Sequence, residues 1–284
     1  MTVPFKIDLS NRVAVVTGGG GVLCSQLARA LAECGAKVAI LDLNKDAAEA
    51  AAAALRADGH KAQGFSANVL ERASLETAAD AIKKAMGPCD LLLNGAGGNH
   101  PKGTTTKDWL EEADLDDSSL TTFFDLDPKG VEFVFNLNFL GTLIPSQVFA
   151  RQMIGRKGCG IINISSMNAF CPLTRIPAYS GAKAAVSNFT QWLAVHFSKV
   201  GIRVNALAPG FFLTNQNHKL LVDEATGEFT ARAKKIIDHT PMGRFGEPEE
   251  LIGTLLWLVS NEASGFVNGV VVPIDGGFAA YSGV

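Results

Sequence analysis

Two side chains of this sequence are well suited to move a proton between the protein and a small molecule. Tyr179 and Lys183 are four residues apart, in the run Tyr-Ser-Gly-Ala-Lys, and on a helix they would share one face. A phenol with its ordinary pKa of about 10 is a poor base at neutral pH. Because a nearby ammonium favours the phenolate, we expect Lys183 to lower the pKa of Tyr179. The pair predicts acid–base chemistry on an alcohol or a carbonyl.

A serine upstream strengthens this interpretation. Ser166 precedes Tyr179 by 13 residues. Its hydroxyl is expected to hydrogen-bond the substrate oxygen and to fix its distance from Tyr179. Taken singly, each residue also fits a structural role: a buried tyrosine, a lysine reaching to solvent or a serine at a strand end.

A glycine run and an aspartate point to a dinucleotide. Residues 18–21 are all glycine and lie between an apolar run and a helical pattern. Glycines there allow close approach of a pyrophosphate, and the helix N-terminus offers free N–H groups. Asp42 ends the second apolar run, where a carboxylate can accept hydrogen bonds from both ribose hydroxyls and would repel a 2′-phosphate. NAD is therefore predicted rather than NADP, the alternative being a solvated aspartate or a helix N-cap.

Short apolar runs alternate with helical patterns along the chain. Predicted strands are residues 13–16, 38–41, 63–67, 91–93, 161–164, 202–207 and 270–274, and predicted helices include 46–57, 74–86, 178–200 and 251–259. The strands are continuously apolar, which is typical of burial on both faces. We predict an α/β fold: one Rossmann-type, doubly wound domain over residues 1–284, with a seven-stranded, mostly parallel sheet flanked by helices on both faces.

Two long segments interrupt this alternation. Residues 99–130 are polar and turn-rich and are predicted to be an insertion, and residues 211–241 are predicted to form a substrate lid. The alternatives are a surface excursion or an oligomer contact.

The ordered motifs resemble the short-chain dehydrogenase/reductase family along nearly the whole chain. The family patterns TGxxxGxG, NNAG, YxxxK and PG fall on residues 17–24, 94–97, 179–183 and 209–210, and Asp275-Gly276-Gly277 matches the usual C-terminal turn. The resemblance implies that the catalytic residues are Asn138, Ser166, Tyr179 and Lys183. It implies that Lys183 binds the nicotinamide ribose and that Asn138 holds a relay water. The implied cofactor-binding residues are Gly18, Gly20, Gly21, Val22, Leu23, Asp42, Leu43, Asn68, Val69, Asn94, Gly95, Ala96, Gly97, Tyr179, Lys183, Pro209, Gly210, Phe212 and Thr214.

The sequence departs from the family pattern at the cofactor end. Val22 and Cys24 stand where the family usually has glycine, Gly95 replaces an asparagine, and Asn68 replaces an aspartate. We therefore expect a phosphate turn that is built differently, with the glycine roles shifted to residues 18–21.

Within the family, three segments are similar to the D-mannonate oxidoreductase (fructuronate reductase) group: residues 17–24, 94–100 and 189–196. That resemblance implies interconversion of D-fructuronate and D-mannonate in hexuronate catabolism. A sugar acid needs a cation for its carboxylate and polar groups for its hydroxyls. The candidate substrate residues are Asn99, His100, Lys102, Asn168, Arg175 and Asn215.

The sequence also fits other functions. Phe170, Phe211, Phe212 and Leu213 would suit an apolar substrate, or they pack the lid. A gluconate 5-dehydrogenase, a 3-oxoacyl or other carbonyl reductase, and a non-catalytic NAD-binding protein are the further alternatives.

Composition narrows the class of partner. A net charge of −3 argues against a nucleic-acid surface. Five cysteines without a CxxC pair favour a reducing compartment, and we see neither a signal peptide nor an uninterrupted apolar stretch of membrane-spanning length. We predict a cytoplasmic enzyme with a small-molecule substrate and without a metal, nucleic-acid or membrane partner, and the family resemblance implies a homotetramer.

Overall fold

The computed structural model describes residues 6–214, 221–223 and 226–283 and contains one seven-stranded parallel sheet. The strands are β1 (Val13–Thr17), β2 (Lys37–Asp42), β3 (Ala62–Ser66), β4 (Leu91–Asn94), β5 (Gly160–Ile164), β6 (Arg203–Pro209) and β7 (Val271–Ile274). Their order is β3-β2-β1-β4-β5-β6-β7, and every pair is parallel. The predicted doubly wound Rossmann-type fold is confirmed.

Helices cover both faces of this sheet. They are α1 (Val22–Glu33), α2 (Lys45–Ala57), α3 (Arg72–Met86), α4 (Pro128–Phe135), α5 (Gly141–Phe149), α6 (Pro177–Phe197), α7 (Ala231–Asp238), α8 (Ile252–Val259) and α9 (Asn261–Ser264). Successive residues of a strand join opposite hydrophobic cores. Val16 packs with α1 and α8, whereas Val15 packs with α3, α5 and α6. This two-sided burial explains why the strands are continuously apolar.

The direction of winding reverses between β1 and β4, which pair directly with Thr17 opposite Asn94. In open α/β sheets such a reversal leaves a crevice at the carboxyl ends of the strands, where ligands bind. The loop after β1 carries residues 18–21 and the loop after β4 carries residues 95–98. The topology therefore brings two glycine-rich loops to the same crevice.

The last residues of the segment 99–130 already belong to α4, which begins at Pro128. Before α4 the segment contains short 3-10 turns at Pro101–Gly103, Glu112–Asp116 and Phe123–Asp125. Its acidic side chains cap these local turns: Asp114, Asp117, Asp125 and Asp127 accept backbone N–H groups. Among the described residues, no cluster of His, Cys, Asp and Glu is placed to hold a metal ion.

A continuous helical stretch, Pro128–Gln152, runs from α4 through α5 and is long and apolar enough to cross a membrane by length and composition alone. Half of its most apolar 18-residue window is buried inside the protein, and α5 packs against α3 and β4. Buried core helices pass the same test, so this stretch is weak evidence for a membrane span.

Candidate active site

Tyr179 and Lys183 lie on one face of α6, near its beginning. The Lys183 Nζ is 5.5 Å from the centre of the Tyr179 ring and donates to the carbonyl of Ile164 at 2.8 Å. Pro177 occupies the first helical position, where its fixed φ suits a helix start. Lys183 is buried and Tyr179 is half-buried, so the pair is held in one arrangement with access on the tyrosine side.

The protonation of this pair differs from the expectation. Burial raises the pKa of Tyr179 to about 12, and the Ser166 hydroxyl opposes this shift only in part. Burial also lowers the pKa of Lys183 to about 8, against the opposing influence of Cys24. The expected lowering of the tyrosine pKa was wrong for the protein alone, because burial disfavours both charged forms.

Ser166 and Asn168 lie in the short turn that follows β5. The Ser166 Oγ accepts the Asn168 backbone N–H at 3.3 Å, and its influence on the Tyr179 pKa indicates that the two hydroxyls are close. The Asn168 side chain is only 4% exposed, and its Oδ1 has no hydrogen-bond partner in the part of the chain described. An unpaired buried acceptor is costly. Asn168 therefore offers an unused acceptor beside Ser166.

Asn138 lies in the π-helical turn Asn136–Leu140 that joins α4 to α5, a distortion often found at functional sites. Its Oδ1 accepts the Gly98 N–H at 3.2 Å, and its Nδ2 donates to the carbonyls of Gly98 and Val134, both at 2.7 Å. A Cβ on Gly97 would lie 2.6 Å from the Asn138 Oδ1 and 3.2 Å from the Lys183 Nζ. The Asn138 Oδ1 and the Lys183 Nζ therefore both lie close to Gly97.

The glycine run forms the turn into α1, which begins at Val22 and continues with Leu23. Gly21 is the N-cap residue, and no side chain of the described chain caps this end, so the first N–H groups remain available to an anion. Gly18 has φ +63°, and a Cβ there would lie 2.9 Å from the Ala96 Cα. A Cβ on Gly20 would lie 3.0 Å from the Asp42 Oδ2. Larger residues would fill this turn.

Thr17 was missed as a site residue, although it ends β1 directly before the glycine run. Its Oγ1 accepts the N–H of Gly95 at 3.1 Å and of Ala96 at 3.3 Å. These bonds tie the loop after β4 to the loop after β1. The last residue of a strand beside the reversal point was the available signal.

Cys24 and Gly95 are in contact, and the size of each limits the size of the other. Cys24 is 6% exposed, and a Cβ on Gly95 would lie 2.2 Å from the Cys24 Sγ and 2.9 Å from the carbonyl oxygen of Thr17. The thiol therefore fills space that a larger residue at position 95 would need. Burial raises the pKa of Cys24 to about 12, so the thiol is a packing group rather than a nucleophile. Cys24 is larger and Gly95 is smaller than the residues of the family pattern, so the two departures compensate each other in volume. We call this compensation the exchange of volume.

Replacing Gly95 with alanine should therefore lower the free energy of unfolding by about 1–3 kcal/mol, because it overpacks this contact. Cys24→Gly in the same chain should restore part of the loss, so the two changes are non-additive in urea denaturation. Gly253→Ala is the matched control, since nothing lies within 4 Å of a Cβ there. Additive losses at positions 24 and 95 would contradict the exchange of volume.

Asp42 lies against the glycine run at the end of β2. Its Oδ2 accepts the Gly20 N–H at 3.1 Å, and its Oδ1 accepts the Asn44 N–H at 3.0 Å. Asn44, not Asp42, caps α2, accepting the N–H groups of Asp46 and Ala47. The helix-cap alternative for Asp42 is therefore wrong.

The predicted cofactor-binding residues Leu43, Asn68 and Val69 lie just after the ends of β2 and β3. Leu43 is 72% exposed and follows Asp42 directly. Asn68 accepts the Leu70 N–H at 3.0 Å and donates to Glu71 at 2.8 Å, so its side chain shapes its own turn. Val69 is buried against Gly141 of α5.

Asn94 has a different environment from the other predicted cofactor residues. Its buried side chain donates to Ser146 of α5 and to Asn163 of β5, both at 2.9 Å, and Asn163 donates to Thr190 of α6 at 2.9 Å. These bonds cross the core from α5 to α6. The side chain of Asn94 holds the sheet to its helices, which leaves its backbone and those of Gly95, Ala96 and Gly97 at the crevice.

Of the predicted cofactor-binding residues after β6, Gly210 and Phe212 could contact a cofactor mainly through their backbone atoms. A Cβ on Gly210 would lie 2.6 Å from the Cα of Asp275, so only glycine fits after Pro209. Phe212 is 5% exposed and packs into the hydrophobic core, so its side chain is not available to a cofactor. Thr214 lies within the described residues, and Asn215 lies outside them.

The predicted substrate residues on the loop after β4 all have partners within the chain. Asn99 donates to Thr104 at 3.0 Å, and the His100 Nδ1 accepts the Lys102 N–H at 3.2 Å. The Lys102 ammonium pairs with Asp127 at 3.1 Å. These residues lie together in the loop after β4, and the ammonium of Lys102 is already paired.

Arg175 belongs to a cluster that the sequence analysis missed. Its Nε donates to the Asp108 Oδ1 at 2.7 Å, and Thr174 donates to the same oxygen at 3.0 Å. Lys235 of α7 pairs with the other carboxylate oxygen. These residues come from two separate loops and a helix that are far apart in the sequence, so no local pattern could reveal the contact.

Three comparisons identify the class of protein. The profile of the family described as short chain dehydrogenase matches residues 12–225. An uncharacterised oxidoreductase of Haemophilus influenzae is 57% identical over 284 residues, 100% of this chain and 99% of that protein. A Haemophilus influenzae structure with bound NAD, provisionally named a D-mannonate oxidoreductase, has a TM-score of 0.94 and 58% identity over 98% of each chain. A gluconate 5-dehydrogenase of Burkholderia cenocepacia, solved with NADP and tartrate, has a TM-score of 0.82 and 30% identity over 97% of this chain and 98% of that one.

The chain belongs to the short-chain dehydrogenase family, which confirms the resemblance of its motifs. It is an oxidoreductase that acts on alcohol groups, and the family uses a nicotinamide dinucleotide as its redox partner.

Proposed function

We propose that the protein is an NAD(H)-dependent enzyme that interconverts the ketone of a sugar acid and its alcohol, with D-fructuronate and D-mannonate as the substrate pair. The observation that carries this proposal is the grouping of Ser166, Tyr179 and Lys183. It places a proton donor next to a second hydroxyl that can hold the reacting oxygen.

The residues present fit NAD. Its pyrophosphate suits the uncapped N-terminus of α1 and the turn at Gly18 and Gly20, where a Cβ would collide with neighbouring atoms. The Asp42 carboxylate suits the adenosine ribose, and NAD bound to the 58% identical neighbour supports the same choice. When bound, the nicotinamide supplies or accepts the hydride.

The chain's own residues handle the proton. With a pKa raised to about 12 by burial, Tyr179 carries its proton at neutral pH and can donate it to a carbonyl oxygen that becomes an alkoxide. Ser166 would donate a second hydrogen bond and hold that oxygen in place. Lys183 would return the proton to Tyr179, and Asn138, fixed beside Gly97, would position the relay that reaches Lys183.

The aromatic and aliphatic side chains that follow β5 and β6 favour a polar substrate over an apolar one, because most of them are already packed. Phe211 and Leu213 pack with α7 in a small core of their own, and Phe212 is buried, so these side chains hold the proposed lid. Phe170 remains, 51% exposed. Tartrate in the gluconate 5-dehydrogenase neighbour supports a hydroxy acid as the ligand class.

The test is a panel of ketones with NADH, followed at the NADH absorbance band. D-fructuronate and 5-keto-D-gluconate both carry the ketone at C5 and differ only at C2, next to the carboxylate, so their comparison isolates one stereocentre. The proposal expects the highest kcat/KM with D-fructuronate, below it 5-keto-D-gluconate, and little turnover of acyl ketones. A preference for 5-keto-D-gluconate would assign the gluconate 5-dehydrogenase alternative instead.

The pH dependence should follow Lys183. Alcohol oxidation needs a pair that has lost one proton, whereas carbonyl reduction needs the fully protonated pair. Because burial lowers the pKa of Lys183 to about 8, kcat/KM should rise with pH through about 8 for oxidation and fall through the same pH for reduction. In Lys183→Met this inflection should vanish from the residual rates, and its persistence would assign the proton to another group.

We also propose the homotetramer and the cytoplasmic location that the sequence analysis predicts. Exposed apolar side chains on α4 and α6 support self-association: Phe133, Phe135, Trp192 and Val195 are 44%, 38%, 57% and 76% exposed.

A further inference from the structure

We propose that Asp108 is a positioning residue that joins Arg175 and the lid residue Lys235 into one receptor for the substrate carboxylate. The proposal rests on the proposed function, because it supplies the cation that a sugar acid requires and that the loop after β4 lacks.

The cluster joins two loops and a helix that follow neighbouring strands of the sheet. Asp108 lies in the loop after β4, Thr174 and Arg175 lie in the loop after β5, and Lys235 lies on α7, which follows β6. The Asp108 side chain is 17% exposed, whereas Arg175 and Lys235 are 45% and 57% exposed. The carboxylate therefore forms the shielded centre, and the two cations lie on its solvent side.

A backbone bond supports this arrangement. The Thr105 N–H donates to the Arg175 carbonyl at 2.9 Å, which docks the loop after β4 onto the loop after β5 independently of any charge. Lys235 and then Arg175 hold the pKa of Asp108 well below its usual range, so Asp108 stays ionised wherever the enzyme works. An isolated surface ion pair contributes little, but the Asp108 carboxylate that anchors the Arg175 Nε is itself held by Thr174 and Lys235.

The charges of the cluster leave room for a second carboxylate. Two cations meet one anion, so one positive charge remains. Asp108 uses the Nε of Arg175, and no bond within the described residues uses either terminal nitrogen. A guanidinium anchored at Nε can present its two terminal nitrogens to a carboxylate in a bidentate pair.

Two other cations of the described chain are less suited to this role, because each is already paired with a carboxylate. Lys102 is paired with Asp127, and both terminal nitrogens of Arg244 are paired with Glu250 at 2.7 Å. Arg175 also lies four residues before Tyr179, on the segment that leads into α6. A carboxylate held there would bring the rest of a six-carbon acid towards Ser166 and Tyr179.

The test compares Asp108→Asn, Lys235→Gln and Arg175→Met with Asp58→Asn, a matched control whose carboxylate pairs with Arg29 on α1. With D-fructuronate and NADH, Asp108→Asn should raise KM by about 10- to 100-fold while kcat changes little, since uniform binding is lost. Arg175→Met should raise KM at least as much. Lys235→Gln should add no further effect in the Asp108→Asn background.

The sign of the KM change separates positioning from competition. If Asp108 merely occupied the place of the substrate carboxylate, its neutralisation would lower KM, and that result would overturn the proposal. Asp108→Glu, which keeps the charge, should recover part of the affinity. An unchanged KM in Asp108→Asn would also overturn it.

Hydrogen–deuterium exchange without substrate tests separately whether Asp108 holds α7 in place through Lys235. Asp108→Asn should speed amide exchange in α7 relative to wild type and Asp58→Asn. Equal exchange rates would mean that Asp108 does not hold α7. If wild type reduces none of the sugar acids, the proposed function fails, whereas the exchange comparison still decides whether Asp108 holds α7.

Discussion

Replacing Tyr179 with phenylalanine should lower kcat for the reduction of D-fructuronate by about 10²–10⁴-fold, the range of general acid catalysis. The ring remains, so the packing of Lys183 over it, at 5.5 Å, should persist. Only the hydroxyl that faces Ser166 is lost. The affinity for NADH and the melting temperature should therefore stay close to those of wild type, which fluorescence titration and thermal unfolding would measure.

Tyr281→Phe is the matched control, because Tyr281 is the second of the two tyrosines in the chain and is 44% exposed. Its activity should equal that of wild type. Near wild-type turnover by Tyr179→Phe would assign proton transfer to another group. A large fall in NADH affinity would instead mean that the hydroxyl organises the cofactor site.

The second large effect concerns the choice between NADH and NADPH. Asp42→Ser should lower the affinity for NADH by about 10- to 100-fold, because two hydrogen bonds to a charged acceptor are lost. The affinity for NADPH should rise, since the repulsion of a 2′-phosphate is removed. The ratio of kcat/KM values for the two cofactors should move in the direction of NADPH, as steady-state kinetics would show.

Asp80→Ser on the exposed side of α3 is the control for a lost surface carboxylate. Asp42 also accepts the Gly20 N–H at 3.1 Å, so the glycine turn itself loosens in the variant. A loose turn weakens both cofactors equally. Equal losses for NADH and NADPH would therefore contradict discrimination by Asp42.

The strands, their order and the family were predictable because each rests on a local pattern. Continuous apolar runs gave the buried strands, and the fixed spacing from Ser166 to Tyr179 and Lys183 gave the family motif. The end of the segment 99–130 was less predictable. Pro128 starts α4 after the N-cap Asp127, a signal of a helix start within a stretch that otherwise resembles a loop.

The features that were missed depend on contacts between distant residues. Cys24 and Gly95 meet only because β1 pairs with β4. Arg175 and Lys102 were predicted as cations, but their partners Asp108 and Asp127 appear only in three dimensions. The Tyr179 pKa was assigned in the wrong direction because a neighbouring charge is visible in a sequence and the depth of burial is not.

The most direct measurement follows the hydride itself. D-fructuronate is reduced with NADH that carries deuterium at both C4 positions of the nicotinamide, and the product is analysed by NMR. Wild type should form D-mannonate with a single deuterium at C5, and Tyr179→Phe should form almost none. D-mannonate without deuterium at C5, or no consumption of NADH by wild type, would contradict it.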